Sequence, residues 1–375
     1  MPGPYGTLVH LGGIAQILIG NNGSMSVSWG KSPRIALDAT YSVGGDLSGV
    51  GLYSREMLLG LATSHPEARF DFCYRPHRYW RSWAKPLPAN ARRRLLAEPL
   101  GPRAADLFHG LNQRLPRIPL RHAITTFHDL FVLTGEYSTE EFRARFAAQA
   151  RDAAQRSAAI IAVSTFTKNA VVSLLGVEAA KVRVVHHGVR DLPCSTAPRE
   201  QVILNVGAIQ KRKNIARLVE AFETLEPGWR LVLAGSFGYG SAEILARIEQ
   251  SPARHRISVL GYVSPDELAR WYSRAMIFAF PSLDEGFGMP VLEAMAAGTP
   301  VVASARSALP EVAGEAALLV DPEDTESLGA ALRLLAGEED LRRDLAGRGI
   351  ARARLFTWEK AARETWDVYR EVLRS

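Results

Sequence analysis

From Arg34 onward, short runs of β-branched and aliphatic residues alternate with amphipathic stretches of helical period, the pattern of a parallel α/β protein. In the first half this predicts strands over residues 35–38, 70–74, 107–109, 123–127, 160–163 and 182–185, with helices over 50–63, 139–156 and 166–175. Residues 190–200 (RDLPCSTAPRE) break the pattern with two prolines and no period, as a linker would. The alternation then resumes, with strands predicted over 202–206, 231–234, 257–260, 277–280, 301–303 and 317–320 and a last helix around 358–373. The fold class expected is therefore α/β, two doubly wound parallel sheets with a cleft between them and ligand loops at the carboxyl ends of the strands.

Length and composition agree with that. At 375 residues the chain exceeds what one hydrophobic core usually supports, and 47% hydrophobic with 22% charged residues excludes extended disorder. Two cysteines, Cys73 and Cys194, make neither a disulfide framework nor a CxxC metal site, which points to a reducing cytoplasm. The net charge of +6 suits an anionic ligand, an anionic membrane surface or nucleic acid. Helix-borne nucleic-acid motifs are absent, so no nucleic-acid partner is expected. No apolar run approaches the roughly 20 residues that cross a bilayer. Residues 7–20 are mildly apolar but lack a basic lead and a cleavage site, so no signal peptide is expected either. Residues 21–28 are polar and rich in Gly and Ser. Folded structure is expected to begin near Pro33, with residues 1–32 a disordered or misassigned extension and Met25 an alternative start.

Candidate chemistry concentrates in residues 281–302, PSLDEGFGMPVLEAMAAGTPVV. Glu285 and Glu293 flank a turn of Gly286, Phe287 and Gly288 that runs into a helix, whose first residue is expected to be Pro290 because proline gives up only an unpaired N–H there. The amides of Phe287, Gly288 and Met289 are expected to point outward with the helix dipole behind them, as a phosphate or sugar hydroxyl requires. In NVGAIQKRKNIARLVEAF, Arg212 and Lys213 stand just before a helix from about Ile215, so two cations and a helix dipole converge on one point. A solvated basic turn is the plainer reading of that run. In GGDLSGVGLY, Gly49 and Gly51 make G-x-G, but Ser54 stands where a third glycine would complete the dinucleotide fingerprint, which speaks against a Rossmann dehydrogenase.

The whole 281–302 string, with Glu285, seven intervening residues, Glu293, the GFG turn and LEAMA-G-PVVAS, resembles the signature of the family 4 retaining glycosyltransferases. The resemblance implies the GT-B arrangement: residues 33–189 an acceptor-binding domain, 201–356 a nucleotide-sugar-binding domain, and 357–375 a helix that crosses back to the first. It also implies site residues. Lys213 would bind the donor diphosphate, and Gly207 ends the strand before it. Many members carry Arg directly after that glycine; here Ala208 stands there, and Arg212 would supply the second charge. Glu285 would hold sugar hydroxyls near the developing cation, and Glu293 the ribose hydroxyls. The H-D pair after residues 123–127 puts His128 against the donor sugar, with Asp129 on acceptor or sugar hydroxyls. Gly49, Gly51 and Tyr53 match a G-x-G-x-Y element near the donor phosphates and acceptor, and Gly261 and Tyr262 match the base pocket. His186 and His187, where the family more often has P-N-G, are read as hinge-edge residues without chemistry. Pro281, Ser282, Leu292 and Met295 are read as structural, and residues 306–314 and the AALLVDPED text after them match the family's downstream sequence.

The reaction so implied builds positive charge on the sugar ring and negative charge on a departing phosphate, so catalysis should consist mainly of stabilising the diphosphate and placing the acceptor hydroxyl. No Asp-x-Asp pair occurs, so neither a metal nor another cofactor is expected. Retention of configuration is implied by the resemblance alone. Overall likeness to bacterial mannosyltransferases with HDL and KRKN text suggests mannose from GDP-mannose, passed to a saccharide or lipid-linked saccharide in polysaccharide or O-antigen assembly. A UDP-sugar transferase, a sugar-nucleotide epimerase of the same architecture and a nucleotide-sugar-binding protein without turnover are the alternatives. Residues 78–94, RYWRSWAKPLPANARRR, interleave tryptophan with arginine, and two readings stand: peripheral contact with an anionic bilayer, or a solvated basic loop.

Overall fold

The computed structural model describes residues 8–11, 15–19, 25–29, 32–45, 47–99, 101–190 and 198–375, the first three stretches as backbone only. Those three are short antiparallel strands, β1 (Leu8–Leu11), β2 (Ala15–Ile19) and β3 (Met25–Trp29), lying in the segment expected to be an extension. Apart from Ser32, the rest of that segment lies outside the described residues, as do residues 191–197 of the expected linker.

The chain then runs β4 (Arg34–Asp38), α1 (Gly49–Ser64), β5 (Arg69–Tyr74), α2 (Pro76–Tyr79), β6 (Ala91–Leu95), β7 (Leu107–Gly110), β8 (Ala123–Phe127), α3 (Phe131–Thr134), α4 (Glu140–Arg156), β9 (Ala159–Ala162), α5 (Thr165–Leu175) and β10 (Val182–Val184). Its second half is β11 (Glu200–Val206), α6 (Ile215–Glu223), β12 (Arg230–Ala234), α7 (Ser241–Glu249), β13 (Ile257–Gly261), α8 (Pro265–Arg274), β14 (Ala275–Phe280), α9 (Met289–Ala296), β15 (Val301–Ser304), α10 (Leu309–Ala313), β16 (Leu318–Val320), α11 (Thr325–Gly337), α12 (Glu339–Ala353) and α13 (Trp358–Arg374). Every strand expected from Arg34 onward is present within two residues of its expected ends.

Two parallel sheets result, as the alternation requires. One has the order β10-β9-β8-β7-β4-β5-β6, the other β13-β12-β11-β14-β15-β16. Each begins in its middle, moves outward, then returns to the other side of its first strand. The order therefore reverses between β4 and β7 in one sheet and between β11 and β14 in the other. In a doubly wound sheet such a reversal opens a crevice at the carboxyl ends of the two strands. The second sheet is covered on both faces because its strands alternate: Leu204, Phe278 and Phe280 pack with Val291, Leu292 and Met295 of α9 on one side, and Ile203, Ile277 and Ala279 with Leu218 and Phe222 of α6 on the other.

By its contacts the chain divides into two compact units: Met1–Thr126 with Asp152–Ile161 and Ala362–Ser375, and Phe127–Arg151 with Ala162–Ala361. The division puts His128 and Asp129 in the same unit as Arg212, Lys213, Glu285 and Glu293. It also gives most of α13 to the first unit, where Trp366 stacks on His65 with ring centroids 3.9 Å apart.

Two local expectations change. The end of the 78–94 stretch is a strand, β6, paired in parallel with β5. Its alternation separates the arginines: Arg92 lies 2.5 Å and Arg94 3.8 Å from the buried carboxylate of Asp71 in β5, while Arg93 lies over the Trp83 ring. A run that reads as a solvated loop is thus held as an edge strand by a carboxylate on its neighbour. And α9 starts at Met289, one residue before Pro290, because Gly288 at φ 109° turns the chain in a conformation that L side chains rarely adopt.

The first unit also contains a buried polar chain. The Tyr53 hydroxyl lies 2.9 Å from Thr126 Oγ1, which lies 2.8 Å from His109 Nε2, and His109 Nδ1 lies 2.6 Å from the Tyr369 hydroxyl. It ties α1, β7, β8 and α13 together in the core. Replacing Tyr369 by Phe removes one link and leaves a buried ring nitrogen without that partner, so we expect a loss of about 1–3 kcal/mol. Urea unfolding should show a lower midpoint with the same slope, and an unchanged midpoint would mean the link is not stabilising.

Candidate functional site

The reversal between β11 and β14 brings two loops together. The loop after β11 carries Gly207 and the turn Lys211–Lys213; the loop after β14 carries Asp284, Glu285 and Gly286. Two hydrogen bonds join them: the Leu283 amide donates to the Arg212 carbonyl at 2.8 Å, and the Asn214 side chain donates to the Pro281 carbonyl at 3.1 Å. Asn214 also donates to the Pro322 carbonyl, after β16, at 2.6 Å. Asn214 adopts φ 57°, which asparagine tolerates better than most residues, and this turns the chain from the basic loop into α6.

Across the junction Lys213 Nζ lies 2.5 Å from Glu285 Oε1, and Arg212 Nη1 lies 2.9 Å from Glu285 Oε2. Arg212 also donates to the Asp284 carbonyl. All three charged side chains are buried, and each cation rests on a ring: Arg212 is 4.2 Å from the Phe131 centroid and Lys213 4.6 Å from that of Phe280. Gly207, at φ 146°, leaves room for this packing, since a Cβ there would meet Lys213 Cε at 3.1 Å.

The Glu285 loop is equally fixed. The Glu285 amide donates to Ser307 Oγ at 3.0 Å, and the Gly286 carbonyl accepts from Ser164 Oγ at 2.7 Å and Thr167 Oγ1 at 3.0 Å. A Cβ on Gly286 would stand 1.7 Å from the His128 carbonyl oxygen, so only glycine lets this loop pass against His128. His128 itself is buried, its Nδ1 3.4 Å from Nε2 of the buried His187, with the two rings stacked. Asp129 is half-buried beside the charge cluster, and Thr134 donates to Asp284 at 2.9 Å.

The electrostatics divide the carboxylates. Burial opposes ionisation of Glu285, but Arg212 and Lys213 outweigh it and hold the carboxyl at about 2. Asp129 goes the other way: burial, opposed by Arg212 and reinforced by Glu285 and Asp284, pushes it to about 6. Burial also lowers Lys213, with Glu285 acting against it, and drives His187 well below the usual imidazole range, helped by His128 and His186.

The other expected site residues are placed as follows. Glu293 is buried on α9 and bound by Arg190 at 2.7 Å and by the Tyr272 hydroxyl at 2.9 Å. Phe287 is buried against His187 and Phe356. No hydrogen bond among the described residues engages the amides of Phe287, Gly288 or Met289. Gly261 sits at φ 68° and Tyr262 is exposed. Gly49 and Gly51 belong to the first unit, where Gly49 opens α1 and the Gly51 amide donates to the Ser48 side chain. Tyr53, which the resemblance puts near the donor phosphates and acceptor, is fully buried, in the polar chain described above. Sequence reasoning missed Arg190, Tyr272, Phe131 and Asp284 and gave His187 no role; of these only Asp284 carried a local signal, its position next to Glu285.

Among the described residues no group of three His, Cys, Asp or Glu side chains is arranged to hold a metal ion, and no helix is long and apolar enough to cross a membrane.

The two reversed parallel sheets define the class. Solved structures with the same fold include the sucrose-phosphate synthase of Thermosynechococcus elongatus, with a TM-score of 0.71, 24% identity and coverage of 90% of this chain and 98% of that one. Another is Anabaena HepE in complex with UDP-glucose, at 0.70, 17%, 90% and 99%. The architecture is thus that of the GT-B glycosyltransferases. Residues 59–191 match the family described as Glycosyltransferase Family 4 and residues 195–352 that of glycosyl transferases group 1. The O-antigen chain mannosyltransferase B of Escherichia coli is 32% identical over 283 residues, 70% of this chain and 74% of that protein. The chain belongs to the family 4 glycosyltransferases. It spans about half the length of other relatives: 53% of a D-inositol 3-phosphate glycosyltransferase of Nocardioides (34% identity, 57% of this chain) and 54% of the MMP alpha-(1->4)-mannosyltransferase of Mycolicibacterium hassiacum (33% identity, 57% of this chain).

The two displaced carboxyls predict opposite pH dependences. Glu285, moved from 4.5 to about 2, contributes stability that is present above pH 4.5 and lost as pH falls toward 2. Asp129, moved from 3.8 to about 6, costs stability above pH 6, a cost relieved as pH falls toward 4. Thermal unfolding of Asp129→Asn should therefore show a gain on the order of 2 kcal/mol at pH 8 that shrinks toward zero by pH 4. A gain independent of pH would contradict the raised carboxyl.

Proposed function

We propose that this glycosyltransferase moves mannose from GDP-mannose to a saccharide or lipid-linked saccharide acceptor during assembly of a cell-surface polysaccharide, with retention of configuration and without a metal ion. The observation that carries the reading is the meeting of Arg212 and Lys213 with Glu285 at the reversal of the second sheet. The mannosyltransferases among its relatives, one of them an O-antigen chain enzyme, favour the sugar.

Each residue then has a task. Arg212 and Lys213, rigid on their aromatic supports, take the charge that develops on the departing diphosphate, together with the amides of Phe287, Gly288 and Met289 at the amino end of α9. Glu285, held ionised, accepts hydroxyls of the donor sugar and faces the cation forming on its ring. His128 lies against the sugar, Asp129 accepts from sugar or acceptor hydroxyls, and Glu293 holds the ribose. Two fixed cations do the work that a bridging metal does where carboxylate pairs hold one.

For the acceptor side we propose peripheral contact of the first unit with an anionic cytoplasmic membrane face. Trp80 and Trp83 are 78% and 59% exposed, beside the exposed Arg81 and Lys85. Binding to vesicles with and without anionic lipid tests this, and equal partitioning would remove it.

Glu285→Gln keeps the side-chain shape, and it should lower transfer by about 100-fold or more with GDP binding within a few-fold of the parent. Lys213→Ala should cost about 1.5–3 kcal/mol of nucleotide affinity. Calorimetric titration with GDP, UDP and ADP decides the base. Undiminished transfer by Glu285→Gln would remove its assignment. Conversion of the donor without acceptor would favour an epimerase, and binding without nucleotide release a non-catalytic protein.

A further inference from the structure

Glu293 does not stand alone in its pocket. Arg190 reaches its Oε1 with two N–H groups, Nη2 at 2.7 Å and Nε at 3.3 Å, and the Tyr272 hydroxyl donates to Oε2 at 2.9 Å. Both donors are themselves anchored. The backbone before Arg190 is clamped where the Val189 amide donates to the Phe356 carbonyl at 3.0 Å, and where Gly188 passes so close to Trp358 that a Cβ would lie 2.3 Å from its amide nitrogen. Tyr272 is wholly buried on α8, its carbonyl accepting from Arg199 at 3.0 Å and Thr299 at 2.6 Å. A carboxylate offers about four lone-pair directions, and three N–H or O–H donors here leave about one to a ligand hydroxyl. We infer that Arg190 and Tyr272 are positioning residues that fix the Glu293 carboxylate in the orientation that receives the ribose of the nucleoside diphosphate.

This rests on the ribose role proposed for Glu293, and it adds a prediction that role does not make: discrimination for the ribose hydroxyls depends on two residues that touch no ligand. Arg190 lies where sequence alone sees only the start of a linker, and Tyr272 reads as one apolar position of an amphipathic helix.

The experiment compares calorimetric affinities for GDP and for 2′,3′-dideoxy-GDP, with the uridine pair used instead if UDP binds the parent more tightly. The parent should prefer the ribose form by about tenfold or more. Glu293→Gln should collapse that preference. Tyr272→Phe and Arg190→Gln should each reduce it by about threefold or more while leaving affinity for the dideoxy nucleotide unchanged, and Arg190→Lys should restore part of it. A purely structural role would weaken both nucleotides equally and leave the ratio intact. If Glu293→Gln collapses the ratio and neither Tyr272→Phe nor Arg190→Gln moves it, the positioning inference is overturned and the ribose role stands. If Glu293→Gln leaves the ratio intact, the ribose role falls and the inference with it. Tyr272→Phe removes a single hydroxyl, so it carries the test if Arg190→Gln fails to fold.

Discussion

Two buried cations on one buried carboxylate are the constraint from which the second unit of this protein can be understood. Taking Arg212, Lys213 and Glu285 out of water costs several kcal/mol per charge, and the attraction among them recovers that only because geometry and hydrogen bonds are good. An apolar trio of similar volume would serve stability at least as well. The arrangement is therefore better explained by what the charges can do than by what they stabilise. Much of the nearby structure makes sense as support for it: the aromatic rings under the cations, the glycine that clears space over Lys213, and the two hydrogen bonds between the loops.

Topology supplies the meeting point. In the second sheet the strand order reverses between β11 and β14, so residues some seventy positions apart leave adjacent strands on the same edge. The first sheet has the same reversal between β4 and β7 but uses it differently. There the polar groups of Tyr53, Thr126 and His109 satisfy one another in the core, with Tyr369 from the last helix completing the chain. The reversal in the second sheet brings charges together, while the polar chain of the first ties α1 and α13 to β7 and β8.

Which parts were legible in the sequence follows from physics local to each segment. Strands buried on both faces read as largely apolar or β-branched runs, so β4, β8, β11 and β14 were visible within two residues of their true ends. β6 was not, because ARRRL has no apolar run; it is a strand through its ladder with β5, and Arg92 is neutralised by Asp71 of that strand, 21 residues away. The helix over 50–63 was legible, but the G-x-G-x-Y text placed Tyr53 near the donor phosphates and acceptor, whereas one helical turn into α1 its side chain is buried in the core. The cation pair and Glu285 were each recognisable from motif spacing. Their direct pairing was not, since nothing in either loop's own sequence says that the other lies within hydrogen-bonding distance.

The two glutamates show how the same side chain can be prepared for different demands. The partners of Glu285 are Arg212 and Lys213, which on the proposed reading must also serve a diphosphate, so the contacts of Glu285 belong to a set in which carboxylate and phosphate compete for the same donors. The partners of Glu293 are Arg190 and Tyr272, to which the proposed reading gives no contact with the diphosphate. Partners shared with a leaving group suit a carboxylate whose surroundings change as charge moves from sugar to leaving group; partners outside that exchange suit one that must recognise an unreacting part of the donor in every state. Each carboxylate has donors on both oxygens, two cations for Glu285 and a cation and a hydroxyl for Glu293, so on the proposed reading what separates chemistry from recognition is whether those donors also meet the leaving group.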